Sequence, residues 1–240
     1  MERLSSDSKQ VAIVAAMRVE LAPLLGDRRP RQVEGVDLYD LPDALVAVGG
    51  IGEKFARRSA EVAIAEASPR LLLSAGMVGA ISPKLKVGDV GRIREVVDVA
   101  TGARYPSEGR GDWVLATSQD VSDAAEKHGL LARYAADVVD MEGAAVAQVA
   151  REHGVAFASI KAVSDDAAFV MPPMNQFIDG AGKFATRRFL AYVALHPRWW
   201  AALGKIKKNS EIATANLCRE VEHLIANSGQ WSLASGQKVI

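Results

Sequence analysis

Three acidic residues and two glycine clusters directly follow apolar runs of this chain. Glu20, Glu142 and Asp165 come after VAIVAA, DVVD and FASIKAV. If these runs are parallel strands, the acidic residues meet at one sheet edge, where open α/β sheets bind ligands. Each alone has a structural interpretation, as a charge in a first helical turn or as a cap. Their coincidence favours a ligand site. The clusters at the same edge are Gly49-Gly50-Ile51-Gly52 and Gly76-Met77-Val78-Gly79.

The glycine clusters complete no nucleotide-binding or nucleophile motif. Gly50-Ile51-Gly52 is followed by Glu53-Lys54-Phe55, so the third glycine of GxGxxG is missing. Neither GxxxxGK[ST] nor GxSxG occurs, which excludes a P-loop and a serine nucleophile elbow at the motif level. What stays open is a loop whose amides hold an anion or a sugar hydroxyl at a helix N-terminus.

Short apolar runs alternate with helical patterns along the chain. Val11 to Ala16 and the later runs ALVAV, RLLLS and FASIKAV are continuously apolar, as buried parallel strands are. Residues 53–67 show helical spacing, and the chain after Pro172-Pro173 is predicted to be helical to about Asn227. The alternation predicts a single-domain three-layer α/β/α fold with a central mixed, largely parallel twisted sheet. The predicted domain is 11–226, with loose termini at 1–10 and 227–240.

Composition narrows the class of protein. The 29 basic and 29 acidic residues give no net charge, which argues against a protein whose main function is to bind the phosphates of nucleic acids. Cys218 is the single cysteine, and the four histidines have no metal-ligand spacing, so no metal site is expected. The polar N-terminus has no signal-peptide core, and no segment reaches the roughly 18 apolar residues of a membrane helix. A cytoplasmic location is expected.

Five motifs, in order, resemble one family. They are VAIVAAMRVELAPLL, ALVAVGGIGEKFA, LLLSAGMVGAISPKLKVGDV, VVDMEGAAVAQVAREHGVAF and IKAVSDDA. Over about residues 11–170 the chain resembles the nucleoside phosphorylase/nucleosidase superfamily, and within it the methylthioadenosine/S-adenosylhomocysteine nucleosidases. The resemblance implies cleavage of a purine N-glycosidic bond through an oxocarbenium-like transition state. That chemistry needs an acid for the leaving base, stabilisation of the ribosyl cation and a positioned nucleophile.

The resemblance implies a role for each acidic residue. Asp165 would protonate purine N7 or donate a hydrogen bond to it, and partial burial would keep this carboxyl group protonated. If the register shifts by one residue, Asp166 takes this role instead. Glu142 would accept hydrogen bonds from the ribose hydroxyls, and Met141 would pack on the sugar unless it is ordinary core. Glu20 would orient and activate the attacking water. The other expected substrate-binding residues are Gly50, Gly76, Met77 and Ser164.

Two departures from the family pattern concern the nucleophile and the base. Ser74 stands where hexameric purine phosphorylases carry a phosphate-binding arginine, and Met77 replaces a serine. Methionine is a poor hydrogen-bonding group, which weakens phosphate binding at this position and favours hydrolysis over phosphorolysis. The first glycine cluster and Arg57-Arg58 stay candidates for binding phosphate. Arg57-Arg58 also fits a solvated helix face. The segment TSQDVS at 117–122 lacks an aromatic to stack on adenine, and Phe169 is the alternative ring unless it only packs.

The C-terminal third places two tryptophans close to lysines. Trp199 and Trp200 precede GKIKK, a combination found at membrane interfaces and apolar-ligand sites. A helix packed on its own core or on another subunit is the structural alternative. Residues 188–213 also resemble the hopanoid-associated phosphorylases. That second resemblance would imply a large lipid-like 5′ substituent on the nucleoside and lipid-like substrate contact near the tryptophans.

Three functions therefore stay open: hydrolysis of a purine nucleoside, phosphorolysis of the same bond with phosphate as co-substrate, and non-catalytic nucleoside binding or sensing. Retention of Glu20, Glu142 and Asp165 together favours an enzyme. A dinucleotide oxidoreductase is disfavoured by the incomplete glycine motif. No cofactor is expected. The expected partner is a small-molecule nucleoside, without nucleic acid or a membrane span, and the protein is expected to be a homo-oligomer, most simply a dimer.

Overall fold

The computed structural model describes residues 9–227, so most of both predicted loose termini lies outside the described residues. The strands are β1 (Val11–Ala15), β2 (Arg31–Val33), β3 (Val36–Asp40), β4 (Ala44–Val48), β5 (Leu71–Ala80), β6 (Val90–Asp98), β7 (Arg104–Pro106), β8 (Trp113–Thr117), β9 (Val138–Asp140) and β10 (Ala156–Asp165). The α-helices are α1 (Ala22–Leu25), α2 (Glu53–Ala67), α3 (Ala124–Tyr134), α4 (Gly143–Glu152), α5 (Thr186–Ala194) and α6 (Trp200–Ala226).

The strands form one mixed sheet. The central path β4-β1-β5-β10 is parallel throughout, because each of these strands returns through a crossover connection. Antiparallel pairs occur in the β2-β3-β4 meander at one edge and where β5 meets β9 and β10 meets β6. Strands β5, β10, β6, β8 and β9 pair in a closed ring. The predicted mixed, largely parallel sheet between helices is confirmed.

Helices cover both faces of the sheet because its strands are apolar on both sides. Along β1, Ala12 and Val14 face the core that contains α2 and α4, whereas Ile13 and Ala15 face the core that contains α6. This period of two follows from the pleat of a strand. A smaller cluster under α3 and another around α5 complete the packing. The two large cores fix the strand ends at which the acidic residues lie.

Three local features differ from the sequence-based expectation. Helix α3 and the short strand β7 were not predicted, and the continuous helix expected after Pro172 is broken into a 3₁₀ turn (Asn175–Phe177), α5 and α6. The break is explained by Gly182 in a left-handed conformation and by Pro197 at the start of a second 3₁₀ turn. Among the described residues, no helix combines the length and the apolar character needed to cross a bilayer.

Candidate active site

A cavity of about 640 Å³ opens at the strand ends and brings the three acidic residues together. Glu20 follows β1, Glu142 follows β9 and Asp165 ends β10, and all three side chains line the cavity. The volume lies within the 300–1,000 Å³ range of small-molecule sites. The other expected substrate-binding residues that line this cavity are Gly50, Met77, Met141 and Ser164; Gly76 lines a smaller pocket behind it.

Glu20 is held rigidly by backbone donors. It lies in a 3₁₀ turn (Arg18–Leu21), and its side-chain oxygens accept hydrogen bonds from the Met17 amide at 2.8 Å and the Met77 amide at 2.9 Å. A Cβ at position 76 would come within 2.9 Å of Glu20 Oε1, so glycine is required beside the carboxylate. Burial raises the pKa of Glu20, and the two backbone hydrogen bonds oppose that shift.

Glu142 occupies the glycine loop that was considered as an anion site. Its Oε1 accepts a 2.7 Å hydrogen bond from the Gly52 amide at the N-terminus of α2. The neighbouring amides are also engaged, since Gly50 N donates to Ala16 O and Ile51 N donates to Gly182 O. The chain supplies its own acceptors for these amides, which argues against phosphate binding by this loop. Burial, with the charges of Asp140 and Glu20, raises the pKa of Glu142 to about 8.

A buried lysine, missed from the sequence, lies beside these two glutamates. Lys161 Nζ is 2.9 Å from Asp140 Oδ2 and donates a 3.0 Å hydrogen bond to Ser74 Oγ. Burial favours the neutral amine, but the negative charges of Asp140, Glu142 and Glu20 outweigh it, so the pKa of Lys161 is raised. Ser74 stands where hexameric purine phosphorylases carry a phosphate-binding arginine, and here its hydroxyl accepts a hydrogen bond from Lys161.

The same groups enclose a second, much smaller pocket. Its volume is about 10 Å³, and its polar lining consists of Glu20, Ser74, Glu142 and Lys161. A space of about 10–15 Å³ with two or more polar partners is what one water molecule needs. The pocket lies between the two glutamates, both of which also line the large cavity. It therefore has the size and polarity to position a single water next to a ligand.

Asp165, and not Asp166, faces the cavity. A β-bulge between Val163 and Asp165 turns the end of β10, and Asp165 accepts hydrogen bonds from Ser164 Oγ at 3.0 Å and Lys127 Nζ at 2.6 Å. Asp166 is exposed and caps the Ala168 amide. Burial raises the pKa of Asp165, while the charge of Lys127 opposes the shift. Lys127 is on α3, which the sequence pattern did not predict.

Three aromatic rings and a polar loop form part of the cavity wall. Phe169 lines the cavity, as do Phe184 and Phe189 from the C-terminal segment. Asp120 and Ser122, from the loop without an aromatic, lie on the same wall. These rings can supply apolar contact for a planar base or for another apolar group. Only Phe169 was named from the sequence, because the other two are far from the motifs along the chain.

The remaining candidates lie away from the cavity lining. Arg57 pairs with Glu61 and Glu152 on the surface, and Arg58 donates to Glu34 O, which is the solvated helix face considered above. Trp199 packs in the α5 cluster, and Trp200 is 59% exposed. The apolar part of the cavity wall that comes from this C-terminal region is formed instead by Leu190, Leu203 and Ile206, together with Phe184 and Phe189.

Comparison with known proteins finds the family that the sequence motifs resemble. Residues 113–194 match the model of the Phosphorylase superfamily. A 5′-methylthioadenosine/S-adenosylhomocysteine nucleosidase of Anoxybacillus flavithermus is 28% identical over 199 residues, which cover 65% of this chain and 84% of that protein. The resemblance inferred from the motifs is confirmed. The same similarity supports the expectation that the chain is an enzyme.

Solved structures show the same fold. A Helicobacter pylori 5′-methylthioadenosine/S-adenosylhomocysteine nucleosidase aligns with a TM-score of 0.68 at 17% identity, over 92% of this chain and all of that chain. Futalosine hydrolase of Helicobacter pylori aligns with a TM-score of 0.65 at 19% identity, over 90% of this chain and 99% of that chain. These two neighbours differ in substrate, so fold alone does not select one nucleoside.

Proposed function

We propose that this protein hydrolyses the N-glycosidic bond of a purine nucleoside, releasing the free base and a free sugar. The observation that carries the proposal is the water-sized polar pocket formed by Glu20, Ser74, Glu142 and Lys161 beside the ligand cavity. The relatives named above support the same reaction class, because their names describe hydrolases of nucleosides. The expectation that no cofactor is needed stays a prediction.

The sugar binds at the end of the cavity with the most negative charge. Glu142 accepts hydrogen bonds from the ribose hydroxyls, and Met77 and Met141 pack against the sugar ring. As the bond to N9 lengthens, positive charge develops on the ribosyl ring, and nearby carboxylates stabilise it more than they stabilise the neutral substrate. Lys161 limits the repulsion among Glu20, Asp140 and Glu142, which keeps these groups close enough to act together.

Glu20 acts on the water. Each of its oxygens already accepts one backbone hydrogen bond and retains a second acceptor position. The water oxygen forms a bond to C1′ as the C1′–N9 bond breaks, and Glu20 takes a proton from the water. The electron pair of the broken bond goes to the base. Asp165 delivers a proton to N7, so the purine leaves as a neutral molecule.

Phosphorolysis is the weaker alternative for this site. Phosphate is an anion with four oxygens, and its binding requires donors and positive charge. Here three amides of the glycine loop donate to the chain's own acceptors, and Lys161 is paired with Asp140. A fixed carboxylate at Glu20 would also repel phosphate. These contacts favour water over phosphate as the nucleophile.

The substrate carries an apolar group at its 5′ position. The cavity extends from the sugar end to Phe184, Leu190, Leu203 and Ile206, beyond what the polar groups of a nucleoside use. Burying each methylene of such a group contributes about 0.8 kcal/mol. A hydrophobic 5′ substituent, of the kind that the similarity of residues 188–213 to hopanoid-associated phosphorylases implies, therefore fits this wall better than a free hydroxyl.

The decisive assay identifies the sugar product. Purified protein is incubated with adenosine, inosine and 5′-methylthioadenosine, each with and without phosphate, and the sugar is analysed by chromatography. We expect base and free sugar at rates independent of phosphate. Sugar 1-phosphate, or turnover only with phosphate, would establish phosphorolysis instead. Binding without turnover of any substrate would support the sensing alternative.

A further inference from the structure

A buried ion pair lies at the base end of the cavity, and its lysine, Lys127, has no part in the chemistry described so far. Lys127 Nζ and Asp165 Oδ2 are 2.6 Å apart, and the two residues are 4% and 6% exposed. Both line the cavity, so the pair faces the ligand. Gly79 of β5 makes room for it, since a Cβ there would lie 2.9 Å from Asp165 Oδ2 and 3.1 Å from Lys127 Nζ.

Stability does not account for this pair. Moving a carboxylate and an ammonium out of water costs several kcal/mol each, and apolar replacements are often as stable. The pair also conflicts with the simplest view of Asp165. An acid that must give a proton to N7 is expected to be protonated, whereas an adjacent ammonium favours the carboxylate.

The conflict disappears if the two residues are considered as one proton-holding unit. The unit is neutral whether it is carboxylate with ammonium or carboxylic acid with amine, and it contains the same transferable proton in both forms. A neutral unit is compatible with its buried position. A lone carboxyl would hold that proton only below its own pKa, whereas the unit has a second basic group that can hold it.

We propose that Lys127 is a positioning residue for leaving-group protonation: it holds the proton that Asp165 passes to the departing purine. This inference rests on the proposed function. The proton moves from Asp165 to N7 as the C1′–N9 bond breaks, Lys127 Nζ returns a proton to Asp165, and solvent reprotonates the amine. Oδ1, hydrogen-bonded to Ser164, keeps the carboxyl oriented while Oδ2 exchanges the proton.

Other charged groups lie around the pair. Asp166 is adjacent in the chain, and its charge raises the pKa of Asp165. Its carbonyl oxygen also accepts a 3.4 Å hydrogen bond from Lys127 Nζ. Asp120 and Lys183 line the same cavity, as do Glu20 and Glu142 on the sugar side. Strand β5 contributes only the backbone of Gly79 at this point.

The test is the pH profile of kcat/KM for purine nucleoside cleavage by the wild type, Lys127→Met and Lys127→Arg. Without Lys127, Asp165 is a lone acid, so the alkaline decline begins at lower pH and activity falls roughly tenfold per pH unit beyond it. We expect Lys127→Met to be within about tenfold of the wild type at pH 5.5 and at least about 100-fold below it at pH 9.

Lys127→Arg separates charge from proton holding. Arginine keeps the positive charge but does not release a proton, so Asp165 stays ionised and is not reprotonated. We expect this variant to be slow at every pH, including pH 5.5, where Lys127→Met is active. Arg133→Met, an exposed change on the same helix, is the matched control and should leave the profile unchanged.

A substrate that needs no acid provides the internal check on folding. 4-Nitrophenyl β-D-ribofuranoside releases 4-nitrophenolate, a stabilised anion that needs no proton to leave, so Lys127 variants should cleave it within a few-fold of the wild type. Equal pH profiles for the wild type and Lys127→Met on the purine substrate would overturn the proposal, as would equal losses on both substrates. A wild type that cleaves no purine nucleoside would instead refute the proposed function.

Discussion

A buried lysine lies beside each end of the cavity, Lys161 in the small pocket behind the sugar end and Lys127 in the lining of the base end, and the two differ in the number of carboxyl groups around them. At the sugar end, Lys161 interacts with Asp140, Glu20 and Glu142. At the base end, Lys127 forms an ion pair with Asp165. The sugar end therefore has three carboxyl groups for one lysine, whereas the base end has one carboxyl group for one lysine. A charge difference of this kind matches a bond that breaks with positive charge on the sugar and negative charge on the base.

The difference also separates the proton chemistry of the two ends. Burial and mutual repulsion raise the pKa of Glu142 to about 8, although its role is to accept hydrogen bonds from the substrate. At the base end, burial raises the pKa of Asp165 while a single lysine opposes the shift. Titratable groups in contrasting environments are how one site supplies both a base and an acid. Substitutions at each end should therefore give different phenotypes.

The largest effect is expected from Asp165→Asn. An amide cannot supply the proton that the purine requires, so turnover should fall by about 10²–10⁴-fold, the usual contribution of a general acid. Steady-state kinetics on 5′-methylthioadenosine measures it, and circular dichroism checks the fold. Asp166→Asn is the matched control, because Asp166 is exposed, and it should stay within a few-fold of the wild type. The reverse ranking would move the acid to Asp166.

Glu20→Gln should be the next most damaging change. The amide can still accept the Met77 or Met17 hydrogen bond, but it cannot take a proton from water, so turnover in phosphate-free buffer should fall about 100-fold or more. Nucleoside affinity, measured by calorimetry, should be largely retained through Glu142 and the base contacts. Normal turnover by this variant would show that the reaction does not use a Glu20-activated water.

These predictions also show how far the sequence leads. The strand-end glutamates and Asp165 could be located because each directly follows an apolar run, and the helix at 53–67 was predicted with its observed bounds. The role of Lys161 could also have been predicted, because a lysine inside a continuously apolar strand needs a buried carboxylate as its partner. For Lys127 the sequence offers one indication, the capping box of Asp123 and Glu126 that marks the start of α3. Which carboxylate it meets depends on how α3 packs, which is a tertiary property.

A smaller effect concerns the pH dependence of stability. Because the pKa of Glu142 is about 8 in the folded protein and 4.5 as an ordinary glutamate, the folded state binds more protons between these values. The free energy of unfolding should therefore fall as the pH rises from 5 to 8.5, by a few kcal/mol at 1.36 kcal/mol per pKa unit. Urea titrations of Glu142→Gln should show a weaker decline. The surface variant Glu53→Gln should decline like the wild type, and an identical decline in all three would contradict the assignment.

The most graded effect, and the smallest for a single change, tests the apolar wall of the cavity near α5 and α6. In a series of 5′-alkylthioadenosines from methyl to octyl, each added methylene that enters the cavity should raise kcat/KM by up to about fourfold, from about 0.8 kcal/mol per buried methylene. Leu190→Ser and Ile206→Ser, which change residues of the cavity lining, should flatten this dependence while leaving adenosine cleavage nearly unchanged. Leu195→Ser is the control, because Leu195 is 79% exposed and is not part of the lining. If the wild-type series is flat beyond methyl, the 5′ group does not reach α5 and α6, and the wall has another role. If instead all three serine variants flatten it equally, the effect comes from the C-terminal helices as a whole and not from contact with the substrate.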